Sequence, residues 1–189
     1  VKDKDHMPSG VSIQSRLEDL WNSLAKKGND EKNTQENSAK EGEDIAERNI
    51  RVLIMTDGYK QLVHKKIEVS ASGGLLIEKN GTKEETGENE KITITREDSG
   101  LQNGKIRIEA KDGGEISILS IQRGYGTPEY PGSLELYATS EGIVIINELP
   151  VEKYLYKVVP SEMPASYQKE ALKAQTVCAR NYAYRQIED

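Results

Sequence analysis

Phenylalanine is absent from this 189-residue chain, and tryptophan and cysteine occur once each, as Trp21 and Cys178. Aromatics make up 5% of the residues, nearly all of them tyrosine, so any packed core has to be built from Ile, Leu, Val and Ala. A single cysteine closes no disulfide within the chain, and the two histidines, His6 and His64, stand far apart. No Cys/His spacing matches a structural zinc site, and nothing calls for a metal or another cofactor. No apolar run approaches the roughly 18–20 residues that cross a bilayer, so membrane attachment is expected only through a segment outside this chain. Basic excess is lacking as well. The net charge is −6, and nucleic-acid affinity rests on cations that neutralise phosphates, so nucleic acid is not expected as a partner.

What is present divides unevenly along the chain. Only 35% of residues are hydrophobic and 31% are charged, a balance that leaves part of a chain outside any core. Residues 1–49 read as a disordered or weakly helical linker. Within them Leu17, Leu20, Trp21 and Leu24 fall at helical spacing between Ser15 and Lys27, either as a small docking helix or as a marginal helix in a tether. From Gly28 to Glu47 the residues are almost all polar or charged, which reads as a solvated tether. The chain opens Val1-Lys2-Asp3 and stops at Asp189 inside a helical pattern, so it reads as a fragment with any targeting segment removed upstream. The lack of disulfide-forming cysteines suits an exported bacterial protein.

Order is expected from about Ile50, and the fold class is α+β. Residues 50–149 form a small antiparallel β-module, and residues 150–189 a helix–loop–helix segment. Strands are expected at Arg51 to Met55 and Lys66 to Ser70. Three Ile-x-Ile pairs follow, Ile92/Ile94, Ile106/Ile108 and Ile116/Ile118, whose period of two puts them on one face of a sheet. Asp98-Ser99-Gly100 and Asp112-Gly113-Gly114 supply turns. Leu134 to Tyr137 and Ile143 to Ile146 form a hairpin across Ser140-Glu141-Gly142. Val151, Tyr154, Leu155 and Val158 share a helical face, and that helix is expected to end at Val159, because Pro160 disfavours α geometry in the residue before it. A second helix is expected from an N-cap at Ser166, with Ala171, Ala174, Cys178 and Tyr182 on one face. Cys178 is expected as buried packing.

Between the helices lies Pro160-Ser161-Glu162-Met163-Pro164. Prolines at both ends stiffen this connector, and it carries Glu162. A rigidly held carboxyl beside Val159 and Met163, which could desolvate it and raise its pKa, suits a general acid. Local chemistry alone favours the plainer reading, in which Glu162 caps the next helix or faces water. Glu152 and Glu170 on the flanking helices read as exposed helix charges.

The run from Pro150 to Pro164, with Val158-Val159-Pro160-Ser161-Glu162-Met163-Pro164 at its end, is followed by Glu170-Ala171-Leu172-Lys173-Ala174-Gln175 and Ala179-Arg180-Asn181-Tyr182-Ala183. Together these strongly resemble the sporulation stage II protein D (SpoIID/LytB-like) family. The resemblance covers roughly residues 130–189 and stops inside the domain, so residues 50–189 would be its N-terminal part and the domain would be incomplete. It implies a peptidoglycan lytic transglycosylase of the bacterial cell envelope, extracytoplasmic and either secreted or membrane-anchored. Such an enzyme cuts the bond between N-acetylmuramic acid and N-acetylglucosamine during sporulation or wall remodelling, leaving 1,6-anhydro ends. Glu162 falls on the family's catalytic glutamate, in the Ser-Glu-Met-Pro motif. Gln175 and Arg180 match family positions on the long helix, as sugar contacts or as residues that hold the Glu162 connector. The implied partners are peptidoglycan glycan strands and other cell-wall hydrolases. A different class stays open, a non-catalytic wall-binding or hydrolase-modifying module, and the fragment alone is expected to be inactive. Tyr167, Thr176, Cys178 and Asn181 depart from the family's common residues at their positions.

Overall fold

A computed structural model describes residues 48–188. Residues 1–47, which hold nearly all of the expected linker with its amphipathic piece and His6, and Asp189 lie outside these residues, whereas Asn49 at the expected linker's end already belongs to the first strand. In chain order the strands are β1 (Asn49–Ile54), β2 (Lys66–Ser70), β3 (Leu75–Lys79), β4 (Thr82–Glu85), β5 (Ile92–Thr95), β6 (Lys105–Ala110), β7 (Ile116–Ile118), β8 (Glu129–Tyr130), β9 (Ser133–Ala138) and β10 (Ile143–Pro150). A short helix, α1 (Ser99–Gln102), stands between β5 and β6, and α2 (Val151–Glu162) and α3 (Lys169–Glu188) come last. The class is α+β.

The strands form two antiparallel sheets. Six are ordered β1-β10-β9-β6-β3-β4 and four β5-β2-β7-β8. The Ile-x-Ile pairs are strands, as their alternation requires, but they do not share a sheet. Ile106 and Ile108 belong to the six-stranded sheet, while Ile92, Ile94, Ile116 and Ile118 belong to the four-stranded one. Both sets point into one core, where they meet Ile67, Val69, Leu134, Leu136, Ile143 and Ile145. Period two fixes which side of its strand a residue occupies; it does not say which sheet the strand joins. Five of the six isoleucines are buried and Ile92 is half-buried.

Two local features depart from expectation. Asp98-Ser99-Gly100 opens α1 rather than a hairpin, with the Asp98 Oδ1 accepting from the Gly100 amide at 2.9 Å. The β3–β4 hairpin was not anticipated. Its signal is Asn80-Gly81, both at positive φ, 52° and 74°, which is the preferred pair for a two-residue turn. The β9–β10 hairpin forms as expected. Gly142 in its turn, at φ 151°, lies where a Cβ would collide with the His64 carbonyl. That carbonyl accepts from the Ile143 amide, and the buried His64 ring nitrogen Nε2 is 2.8 Å from the Ile54 carbonyl.

Along β1 and β10 one face serves two neighbours. Ile54, Ile143 and Ile145 join the sandwich core, while Ile50 and Leu149, at the other end, pack with Val151, Leu155 and Ala183 of the helices. The opposite face of the six-stranded sheet carries the buried Glu135, which accepts from Arg51 at 2.6 Å and Lys105 at 3.0 Å. Burial alone would raise the pKa of this carboxyl; the two cations outweigh it and hold the group below the usual carboxylate range.

Ile108 is wholly buried, so Ile108→Ala should cost about 2–5 kcal/mol in urea unfolding. Ile92→Ala should cost clearly less. A change below about 1 kcal/mol for Ile108 would mean that its face is solvated.

Candidate active site

Helix α2 begins where β10 ends, with no linker. Pro150 is the last strand residue and holds the N-cap position at φ −56° and ψ 141°, and the Val151 amide donates to the Arg48 carbonyl at 2.9 Å. Val151 and Leu155 are buried, so one side of the first two turns is fixed to the β1–β10 end.

The helix does not stop at Val159. It runs through Pro160 to Glu162. Val159 packs against the second core cluster with Leu155 and Ala183, and that contact offsets the steric penalty a proline imposes on its predecessor. Proline also removes the amide that would bond the Tyr156 carbonyl; that residue is 79% exposed, so water can serve its carbonyl. Ser161 Oγ donates to the Lys157 carbonyl at 2.8 Å. The same rule holds at the second proline. Met163, just before Pro164, is extended at φ −139° and ψ 121° and terminates the helix. Glu162 is therefore the last residue of a helix, not part of an extended connector.

The return turn spans residues 163–168. The Tyr167 amide donates to the Pro164 carbonyl, and α3 starts at Lys169. Ser166 lies in this turn and does not cap α3. The inward face of α3 is also rotated from the expected one. Ala183 is buried and Leu172, Gln175, Thr176, Ala179 and Ile187 are half-buried, whereas Ala174, Cys178 and Tyr182 are exposed. The small-residue stripe attracted the wrong assignment because alanine fits either side of a helix. Cys178 is a surface thiol, not core packing.

Across the helix pair, Gln175 Nε2 donates to Glu162 Oε2 at 2.5 Å. This contact joins residues 13 positions apart and fixes one carboxylate oxygen, leaving Oε1 open. Gln175 thus reaches the Glu162 side chain itself and not the backbone around Pro160. Glu162 is exposed, and Val159 and Met163 do not enclose it. Tyr154, two turns earlier on the same side of α2, was not anticipated as a site residue. Burial, then the charge of Glu162, then Tyr182, push its phenol pKa up, so it keeps its hydroxyl proton. The i, i+4, i+8 spacing of Tyr154, Val158 and Glu162 was the available signal.

Arg180 is not brought to Glu162. Its guanidinium makes a two-pronged pair with Glu152, Nε to Oε1 at 2.7 Å and Nη2 to Oε2 at 2.8 Å. Glu152 is thus a partner of α3 rather than a solvated charge, and the hydrogen bond to Arg180 lowers its pKa. Glu170 does behave as an exposed helix charge, paired with Lys173 at 2.8 Å. Further ties hold the helices to the sheets: Lys157 to Glu115 at 2.9 Å and Arg48 to Glu188 at 3.1 Å, with Arg48 also over the Tyr184 ring at 6.0 Å.

Both members of the Glu152–Arg180 pair are about one-third exposed, so solvent screening limits its worth. A double-mutant cycle with Glu152→Gln and Arg180→Gln should give a coupling of about 0.2–1 kcal/mol. A value near zero would show that this pair does not help to hold the two helices together.

Residues 139–189 match the family model described as SpoIID, stage II sporulation protein. The chain is 44% identical over 55 residues to stage II sporulation protein D of Bacillus subtilis and 44% identical over 57 residues to that of Bacillus amyloliquefaciens. These segments are 29% and 30% of this chain and 16% of each relative. An uncharacterized protein of Brachyspira hyodysenteriae is 34% identical over 101 residues, 52% of this chain and 26% of that protein. The matches thus span about a quarter or less of these relatives. No solved structure matches the chain. The segment that matches contains β10, the Pro160–Pro164 run, Glu162 and its partner Gln175, and over residues 139–189 the chain is similar to the SpoIID family.

Proposed function

We propose that the protein is a peptidoglycan lytic transglycosylase of the bacterial cell envelope, with Glu162 as its single acid and base. The observation that carries this reading is the Glu162 carboxyl at the end of α2, tied through Oε2 to Gln175 in the segment that matches the SpoIID family. Tethering by Gln175 leaves Oε1 to meet the glycosidic oxygen, and Tyr154, within reach of the Glu162 charge, keeps its hydroxyl proton.

One carboxyl is sufficient for the chemistry. Glu162, in its acid form, gives its proton to the oxygen between N-acetylmuramic acid and N-acetylglucosamine as the C1–O bond breaks. The glycan freed by this step leaves with a hydroxyl. The carboxylate then takes the proton from the muramic acid C6 hydroxyl while O6 closes on C1, forming the 1,6-anhydro ring and restoring the acid. No water is consumed. Ordinary glycosidases instead use two carboxyl groups at a set separation, and Glu152 is committed to Arg180.

The exposure of Glu162 favours a second reading for this segment, a wall-binding module that modifies other hydrolases without cutting glycan itself. The two part on products. With peptide-free glycan, the intact protein should release anhydro-muramyl ends, and Glu162→Gln should abolish them while the fold persists. Glu162→Asp moves the acid by about 1 Å and should lose on the order of 100-fold. Gln175→Ala should lower the rate less than either and leave unfolding stability unchanged. Equal wall binding by wild type and Glu162→Gln, with no products from either, would favour the module.

A further inference from the structure

At the far end of the sandwich, two loops present tyrosines whose rings face solvent. Tyr59 is 67% exposed and Tyr125 fully exposed. Tyr59 follows Gly58, and both have positive φ, 57° and 62°, a conformation that a bulky residue seldom adopts. Backbone strain of this kind gathers where a loop has a task.

The strained loop is held from both sides. The Tyr59 amide donates to the Thr56 carbonyl, and the Thr56 amide and hydroxyl both bond Gln61 backbone groups. From the second loop, the Gln122 amide donates to Asp57 Oδ1 at 2.8 Å. Arg123 reaches the Thr56 and Met55 carbonyls at 2.9 and 2.6 Å and lies over the Tyr59 ring at 4.6 Å. Reciprocal Arg123 and Gly126 backbone bonds close the turn that carries Tyr125. Arg123 thus clamps one face of Tyr59 and leaves the other open.

We infer that Tyr59 and Tyr125 form a stacking platform for a strand of uncharged, ring-shaped sugars. The chemistry selects that occupant. A pyranose offers a flat face of weakly positive C–H groups, complementary to the negative face of an aromatic ring. Both Arg123 Nη atoms are engaged by carbonyls, and Asp57 stands beside it, so the platform offers no free pair of donors for a phosphate or carboxylate. Thr127 and Gln122 are neutral partners for hydroxyls, and Lys60, beside Gly58, adds a single ammonium rather than a paired clamp. The choice of a wall glycan as the polymer rests on the reading of Glu162 as a glycan-cleaving acid. The platform lies at the Ile54 end of β1, and α2 starts at its Asn49 end. Ile54, which leads into it, and Asn49, beside the start of α2, lie at opposite ends of β1, about 17 Å apart.

The test is binding of the linear β-linked N-acetylglucosamine hexamer to the intact protein, followed by amide shifts in NMR titration. Shifts should gather at Thr56–Gln61 and Arg123–Thr127. Tyr125→Ala and Tyr59→Asn should each weaken binding roughly fivefold or more, while Tyr125→Phe keeps it. Asn tolerates positive φ, so Tyr59→Asn should fold normally and separates a lost ring from a lost loop. Unchanged affinity in both ring-removing variants overturns the platform, as does preferential binding of a polyanion or of an unfolded polypeptide. Binding is read without cleavage. Glycan cutting that persists alongside a failed binding test would sink the platform and leave the Glu162 reading standing.

Discussion

The continuous run of β10 into α2 is the constraint on which the rest of the molecule depends. β10 is paired on both sides, with β1 and with β9, so its direction at Pro150 is fixed by two ladders of hydrogen bonds. With Val151 and Leu155 buried against Ile50 and Leu149, α2 has no freedom to pivot on the sheet. The position of Glu162, twelve residues along, is then set by the sandwich rather than by its own loop. A side chain at the end of a packed helix is held more closely than one on a loop.

Polar contacts refine what burial establishes. Lys157–Glu115, Arg48–Glu188 and Glu152–Arg180 are at least partly exposed, and each is worth little alone. Arg48–Glu188 and Glu152–Arg180 both engage α3 in the rotation that brings Gln175 to Glu162 and turns Cys178 to solvent, while Lys157–Glu115 holds α2. The buried Glu135 differs in kind. Its charge is retained out of water because Lys105 of the adjacent β6 and Arg51 of β1, reaching across β10, converge on it, which ties the order β1-β10-β9-β6 to a polar requirement as well as an apolar one.

Much of the architecture was legible because isoleucine alternation leaves few options. The strands at Lys66–Ser70, Ile106–Ile108 and Ile143–Ile146 follow from period and composition. Sheet membership did not, since it depends on pairing between residues distant in sequence. The β3–β4 hairpin was masked by its charged strand Thr82–Glu85, wholly exposed, although Asn80-Gly81 announced it. Proline was a sound guide at Pro164 and a misleading one at Pro160, where packing of Val159 outweighed a local preference. Glu162 and Gln175 were identifiable from motif resemblance, and their contact was not: a 13-residue separation across a turn is settled only by the helix crossing. Arg180 illustrates the converse, a residue matched by motif whose place in the described residues is with Glu152.

The central claim is that one carboxyl group breaks the glycosidic bond without water. Digestion of peptide-free glycan by the intact protein in heavy-oxygen water, with products weighed, tests it most directly. The account predicts muramic acid ends lighter by one water and free of the heavy isotope, because O6 of the same sugar closes on C1. Ends of full mass that carry heavy oxygen at C1 would mean hydrolysis, and would contradict Glu162 as a lone acid and base.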